Sequence, residues 1–203
     1  CPCLSVQYDT DTGDTAQDSD TDTDSDSDTD TDTDTDSDSD TDTAVGPANW
    51  DFESIWAGDE PPGFALSVTT GLGAFQDTGV AQSGSASAEI TWTAASDPSL
   101  VSLTEPAAAS GDTRTLHAWV LDEDAAGRAQ LVLGFVDASG SPVGTPQTSS
   151  PSADGSAWQE LAATASATAG VARATAALQV FDVGGSFTTA TLHTDDWALT
   201  APM

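Results

Sequence analysis

Ala86-Ser87-Ala88-Glu89-Ile90-Thr91-Trp92-Thr93 alternates apolar and polar side chains without a break. Successive side chains of an extended chain point to opposite faces, so Ala86, Ala88, Ile90 and Trp92 share one face and Ser87, Glu89, Thr91 and Thr93 the other. The segment reads as a half-buried strand with Trp92 in the core. Residues 172–180 repeat the pattern, with Ala172, Ala174, Ala176, Leu178 and Val180 set against Arg173, Thr175 and Gln179. Further strands are expected at 64–69, 101–106, 114–122, 129–137, 157–164 and 190–199, divided by breaks at Pro61-Pro62-Gly63, Asp137 to Gly140 and Gly184-Gly185. No segment reads as a helix. About eight or nine short strands of this kind predict an all-β chain folded as a β-sandwich.

The sandwich sequence occupies residues 45–203, which contain all six tryptophans and all six phenylalanines. Upstream lie an N-terminal segment, 1–17, and a repeat, 18–44, of a different kind. Asp18, Asp20, Asp22, Asp24, Asp26, Asp28, Asp30, Asp32, Asp34, Asp36, Asp38, Asp40 and Asp42 alternate strictly with serine or threonine. No packed core can form from that composition, so the segment is expected to be extended. In an extended chain these carboxylates share one edge, roughly 6.7 Å apart, and repel by about 0.6 kcal/mol per adjacent pair in water.

Three readings of the repeat stand side by side. It is a self-repelling spacer, a stalk glycosylated on its hydroxyls, or a ladder for calcium. Calcium takes about six to eight oxygen ligands at roughly 2.3–2.6 Å in loose geometry. One strand cannot fill such shells from its own side chains, so calcium ordering implies self-association into a fibre or oligomer.

Charge narrows the partners. The chain carries 34 acidic residues against three basic ones, Arg114, Arg128 and Arg173, and has no lysine. Nucleic acid and anionic membrane surfaces are poor partners for it. Residues 45–203 alone hold eighteen acids and three arginines, a balance of −15. That suits an extracellular setting rich in divalent cations.

The first residue is Cys1 and the one methionine is Met203. An N-terminal cysteine followed by a polar tether resembles a mature bacterial lipoprotein, which implies lipidation at Cys1 and a place at the cell surface or outer membrane. No apolar run is long enough to span a bilayer, so the expected membrane attachment is through lipid alone. Cys1 and Cys3 form a C-x-C pair, poor geometry for a disulfide and too few ligands for structural zinc.

A family resemblance emerges from motifs in order along the sandwich: Asn49-Trp50-Asp51-Phe52-Glu53, Pro62-Gly63-Phe64, Ser83-Gly84-Ser85-Ala86-Ser87, Thr115-Leu116-His117-Ala118-Trp119-Val120, Trp158 with Leu161, and Thr194-Asp195-Asp196-Trp197-Ala198-Leu199. Together they resemble the jelly-roll carbohydrate-binding modules of families four, nine, sixteen and twenty-two, within the galactose-binding-like fold. The resemblance covers nearly all of 48–201. It implies a structural calcium held by Asp51 or Glu53, a carbonyl near Gly84, and Asp195 with Asp196. Asp195 is expected on the strand face of Trp197 and Leu199, its carboxylate toward the core.

The resemblance also implies a sugar platform in which His117 and Trp119 face a concave groove, with Arg173 and Gln179 supplied by a neighbouring strand. The alternative puts Trp119 and Leu121 in the core of the second sheet. Catalysis is not expected. The two histidines have no recognisable serine or cysteine partner, and no glycine-rich phosphate loop is present. Asp122, Glu123 and Asp124 read as a solvated turn. The leading expectation is a non-enzymatic extracellular protein whose aspartate repeat binds calcium and joins chains into a fibre displaying the jelly roll. The alternative is a monomeric surface lipoprotein presenting a carbohydrate-binding module on a flexible tether, with a polysaccharide as partner.

Overall fold

Residues 50–201, apart from 59, 69, 94–96 and 184–188, are described by a computed structural model. The lipidation expected at Cys1 and the calcium ladder from Asp18 to Asp42 lie outside the described residues. Ten strands follow in order: β1 (Phe64–Leu66), β2 (Leu72–Asp77), β3 (Ser87–Trp92), β4 (Ser99–Ser102), β5 (Thr113–Leu121), β6 (Gly127–Val136), β7 (Gln147–Thr148), β8 (Gln159–Ser166), β9 (Arg173–Asp182) and β10 (Ala190–Thr200). They form two antiparallel five-stranded sheets, β1-β4-β9-β6-β7 and β2-β3-β10-β5-β8. Except between β2 and β3 and between β6 and β7, each strand passes the chain to the other sheet, which is how a jelly roll winds. The all-β sandwich expected from the alternation is the fold observed. No helix of the described residues is long and apolar enough to cross a membrane.

The alternation that marks each strand also builds the core. β9 buries Ala174, Ala176, Leu178 and Val180, and β3 buries Ala88, Ile90 and Trp92. Leu116, Ala118 and Val120 of β5 and Leu192 and Leu199 of β10 meet them from the second sheet. Trp92 reaches across to β6, where a Cβ on Gly127 would overlap Cη2 and Cζ2 of its indole. Only glycine leaves that space open.

An aromatic cluster closes one end of the sandwich. Phe64 stacks on Phe52 at 5.2 Å between ring centroids, and Trp197 meets Phe64 edge-on at 5.1 Å and Trp50 at 6.2 Å. The backbone N–H of Trp197 donates to the Trp50 carbonyl at 2.9 Å, tying the chain before β1 to the closing strand. Both segments bend sharply there: Phe52 has φ of 56° and Asp196 of 46°, the left-handed region that costs a non-glycine residue about 1–3 kcal/mol. Burying the Phe52 and Trp197 rings offsets that strain.

Two strands escape the sequence pattern. β2, Leu-Gly-Ala-Phe-Gln-Asp, has no β-branched residue and a glycine at its second position, and β7 has only two residues. The chain around Asp122 also differs from expectation. Asp122 is fully buried, accepting a hydrogen bond from Oγ of Ser152 at 2.5 Å while Arg128 stands 3.8 Å away. Asp124 accepts bonds from the N–H groups of Ala126 and Thr191, at 2.9 and 3.3 Å. The expected solvated turn is corrected: Asp122 and Asp124 hold the β5–β6 connection to the 150s loop and to β10.

Candidate functional site

The outer face of the β2-β3-β10-β5-β8 sheet gathers most of the chemistry. On β5, Leu116, Ala118 and Val120 are buried, so Thr115, His117 and Trp119 face outward and are partly exposed. The reading of Trp119 as core is thereby excluded. Leu121, beside the loop, is buried. Trp119 lies in register with Glu160 of β8, and Nδ1 of His117 sits 3.0 Å from Oε1 of Glu160. Beyond them runs a ladder of hydroxyls, Thr115 with Thr164 at 2.9 Å and Thr113 with Ser166 at 3.0 Å. The result is one partly exposed indole flanked by an imidazole, a carboxylate and a row of hydroxyls. Such a surface can stack on an apolar ring face and hydrogen-bond its rim.

Arg173 and Gln179 do not join this surface. Both are on β9, which belongs to the other sheet, and both alternate with buried residues there. They therefore face outward on the opposite side of the sandwich. Arg173 pairs with Glu105 at 2.5 Å, and Gln179 accepts from the Gln130 amide at 2.6 Å. The shared platform expected from a neighbouring strand is corrected to two surfaces on opposite sheets. Alternation tells which side of its own strand a residue takes, but not which sheet the strand joins.

Of the expected calcium residues, Glu53, Asp195 and Asp196 meet at the 82–86 loop. Glu53 accepts the N–H groups of Ser85 and Ala86 at 2.8 and 3.0 Å and the Ser85 hydroxyl at 2.7 Å. Those hydrogen bonds hold its carboxyl below the usual range. Asp51 is exposed, and its Oδ1 accepts from the N–H of Glu53 at 3.3 Å. Asp196 accepts from Oγ of Ser83 at 3.0 Å.

Asp195 corrects a further expectation. A bulge between Asp195 and Ala198 breaks the alternation, and the pairing of Asp195 with Trp119 sets it on the outer face, opposite in sense to Trp197 and Leu199. It is nonetheless fully buried, because the 82–86 loop covers it: Gln82 N–H donates to Oδ2 at 2.9 Å, Ser83 N–H at 3.4 Å, and Asp196 N–H to Oδ1 at 2.9 Å. Burial pushes its carboxyl up to about 6 against those hydrogen bonds, with the Asp196 charge adding to the rise. Glu53 and Asp195 thus grip one loop from two sides, through backbone N–H groups. Calcium needs oxygen donors, so a cation here would take the remaining carboxylate lone pairs and loop carbonyls.

A group absent from the sequence reading lies on the same sheet face. Nε2 of His193 on β10 is 3.0 Å from Oδ2 of Asp77 on β2 and 3.7 Å from Oε2 of Glu89 on β3. Among the described residues, this trio alone brings three histidine, cysteine or carboxylate ligand atoms within 4.8 Å of one another. His193 also lines a recess of about 210 Å³ with Leu121, Glu123, Asp124 and Thr191. The alternating pattern assigns Glu89 and His193 outward, but their convergence depends on β3 pairing with β10, which only the fold reveals.

No family model matches the chain, and no curated protein matches it in sequence. Solved structures do match in fold. The C-terminal family 22 carbohydrate-binding module of Clostridium thermocellum Xyn10B superposes with a TM-score of 0.52 at 13% identity, over 74% of this chain and 90% of that one. The CBM22-2 xylan-binding domain of Paenibacillus barcinonensis Xyn10C gives 0.52 at 16% identity, over 75% and 97%. The enzymatically active domain of bacteriophage CBA120 tailspike protein 4 gives 0.55 at 14% identity, with 78% of this chain matching only 21% of that one. At these identities the likeness establishes the fold, a β-sandwich like that of carbohydrate-binding modules.

Proposed function

We propose that the sandwich is a non-catalytic glycan-binding module whose binding surface is the outer face around Trp119. The observation that carries this reading is the outward-facing, partly exposed Trp119–His117–Glu160 group beside the Thr115–Thr164 hydroxyl ladder. The fold it shares with xylan-binding modules supports a β-linked polysaccharide as the ligand class. Titration of xylan and cello-oligosaccharides into the full chain tests it. Saturable binding that is lost in Trp119→Ala, with the fold retained, is the expected result. An intact fold that binds no glycan would end the reading.

The strict alternation of Asp18 to Asp42 favours a second, compatible proposal. Calcium bridges the aspartate edges of several chains and joins them into a fibre or oligomer that displays the sandwich at an extracellular surface, with Cys1 as the site of lipid attachment. Particle size with calcium and after chelation is the measurement that decides it.

A further inference from the structure

The shortage of cations in this chain makes the Asp77–Glu89–His193 trio unusual. All three arginines are engaged elsewhere: Arg114 with Asp112 at 3.0 Å, Arg128 beside Asp122 at 3.8 Å and Arg173 with Glu105 at 2.5 Å. With no lysine in the chain, two carboxylates on adjacent strands face a single imidazole. A neutral imidazole has one N–H to give, which serves one carboxylate and leaves the other beside a like charge.

The geometry points to a divalent metal site of the zinc class at this trio, distinct from both the loop gripped by Glu53 and Asp195 and the aspartate repeat. Tetrahedral zinc with bonds of about 2.0–2.2 Å to nitrogen and carboxylate oxygen separates its ligand atoms by about 3.3 Å. The two separations from Nε2, 3.0 and 3.7 Å, bracket that value. The imidazole nitrogen selects zinc, copper or nickel over calcium, which prefers all-oxygen shells.

Asp77 is already oriented for ligation. Its Oδ1 accepts the Gly79 N–H at 2.7 Å, which turns Oδ2 toward His193. All three residues are partly buried, reached from solvent along the outer sheet face. On that outer face a solvent water can take the fourth position. The inference does not rest on glycan binding.

The chain's two histidines make the test direct, because His117, already engaged with Glu160, serves as an internal reference. Zinc chloride is titrated into the full chain without calcium, and the imidazole resonances of the two histidines are followed by nitrogen–proton NMR, which reads ligation at each histidine separately from any zinc taken by the aspartate repeat. One equivalent of zinc is expected to shift the His193 signals and leave those of His117 in place. His193→Gln should abolish that event, and the near-isosteric Glu89→Gln should weaken it about tenfold or more. Equal response of both histidines, response of neither, or a zinc isotherm unchanged by His193→Gln and Glu89→Gln would overturn the assignment and leave a hydrogen-bonded network only.

Discussion

The carboxylate of Glu53 fills the space that a side chain at position 84 would need: a Cβ built on Gly84 would overlap Oε1 of Glu53. Gly84 also has φ of 61°, a conformation that L residues rarely adopt. Steric exclusion and backbone strain therefore act at one position. Gly84→Ala should lower stability by about 1–3 kcal/mol, with loss of the Glu53 bonds to Ser85 and Ala86. Urea denaturation reads the first effect, and hydrogen exchange at the amides of Ser85 and Ala86 the second. Unchanged exchange at those two amides would show that Glu53 does not hold the loop.

Gly127 faces a different constraint. Its backbone is not left-handed, but a Cβ there would enter the indole of Trp92, which is 1% exposed. A well-packed core cannot absorb a methyl without moving a side chain. Gly127→Ala should cost about 1–3 kcal/mol, and Trp92→Phe in the same chain should recover part of the loss by vacating the contact. Denaturant midpoints for the two single variants and the double variant measure that coupling.

Much of the sandwich is legible in the chain because strands half-buried on one face must alternate. Residues 86–93 and 172–180 show it, and the observed strands β3 and β9 fall on them. What remains hidden is non-local. β2 is stabilised by pairing with β3 over its whole length rather than by its own residues. The sheet to which β9 belongs separates Arg173 and Gln179 from Trp119, and nothing in nearby sequence encodes that choice. A one-residue bulge at Asp196 reverses the facing of Asp195 without altering the composition around it. The burial of Asp122 likewise depends on Ser152, thirty positions away.

The correction of the platform yields a discriminating experiment on glycan binding. Trp119→Ala and His117→Ala remove groups from the proposed surface, whereas Gln179→Ala alters the opposite sheet. Loss of a stacked aromatic typically costs a binding surface about 2 kcal/mol or more, roughly thirtyfold in affinity. Calorimetry with a xylo-oligosaccharide should show that loss for Trp119→Ala, a smaller one for His117→Ala and none for Gln179→Ala. Loss confined to Gln179→Ala would move the site to the other face.

Asp195 gives the sandwich an acid-side signature. Its carboxyl is raised from an ordinary 3.8 to about 6, so between these values the folded chain holds a proton that the unfolded chain has released. Stability contributed by this group is then fully present below about pH 3.8, falls as pH rises to about 6 and is level above it. The contribution is at most about 3 kcal/mol. Other carboxylates pull the opposite way: Glu53, Asp77, Asp112 and Asp137 have lowered values and lose stability as pH falls. The Asp195 effect is therefore isolated as a difference, with Asp195→Asn expected to lose stability relative to the wild type at pH 4 more than at pH 7. Thermal melts at both values measure it. Calcium bound at this carboxylate would favour the ionised form, so adding calcium should remove the difference if Asp195 is a ligand.

If the aspartate repeat binds calcium as proposed, the dependence it sets is of a different kind, on assembly rather than on the fold. A single extended edge offers one carboxylate about every 6.7 Å, too sparse to complete the shell of one ion, whereas two edges side by side, about 4.8 Å apart, can share each ion between chains. Association should therefore rise steeply with calcium and reverse on chelation, while the melting of the sandwich changes little. Replacing alternate aspartates, Asp20, Asp24, Asp28, Asp32, Asp36 and Asp40, by asparagine doubles the spacing of charge along the edge without changing length or polarity. That variant should stay monomeric at calcium concentrations that assemble the wild type, as read by light scattering. Calcium-independent particle size in the wild type would reduce the repeat to a spacer, and equal assembly in both chains would show that charge density along the edge is not what calcium reads.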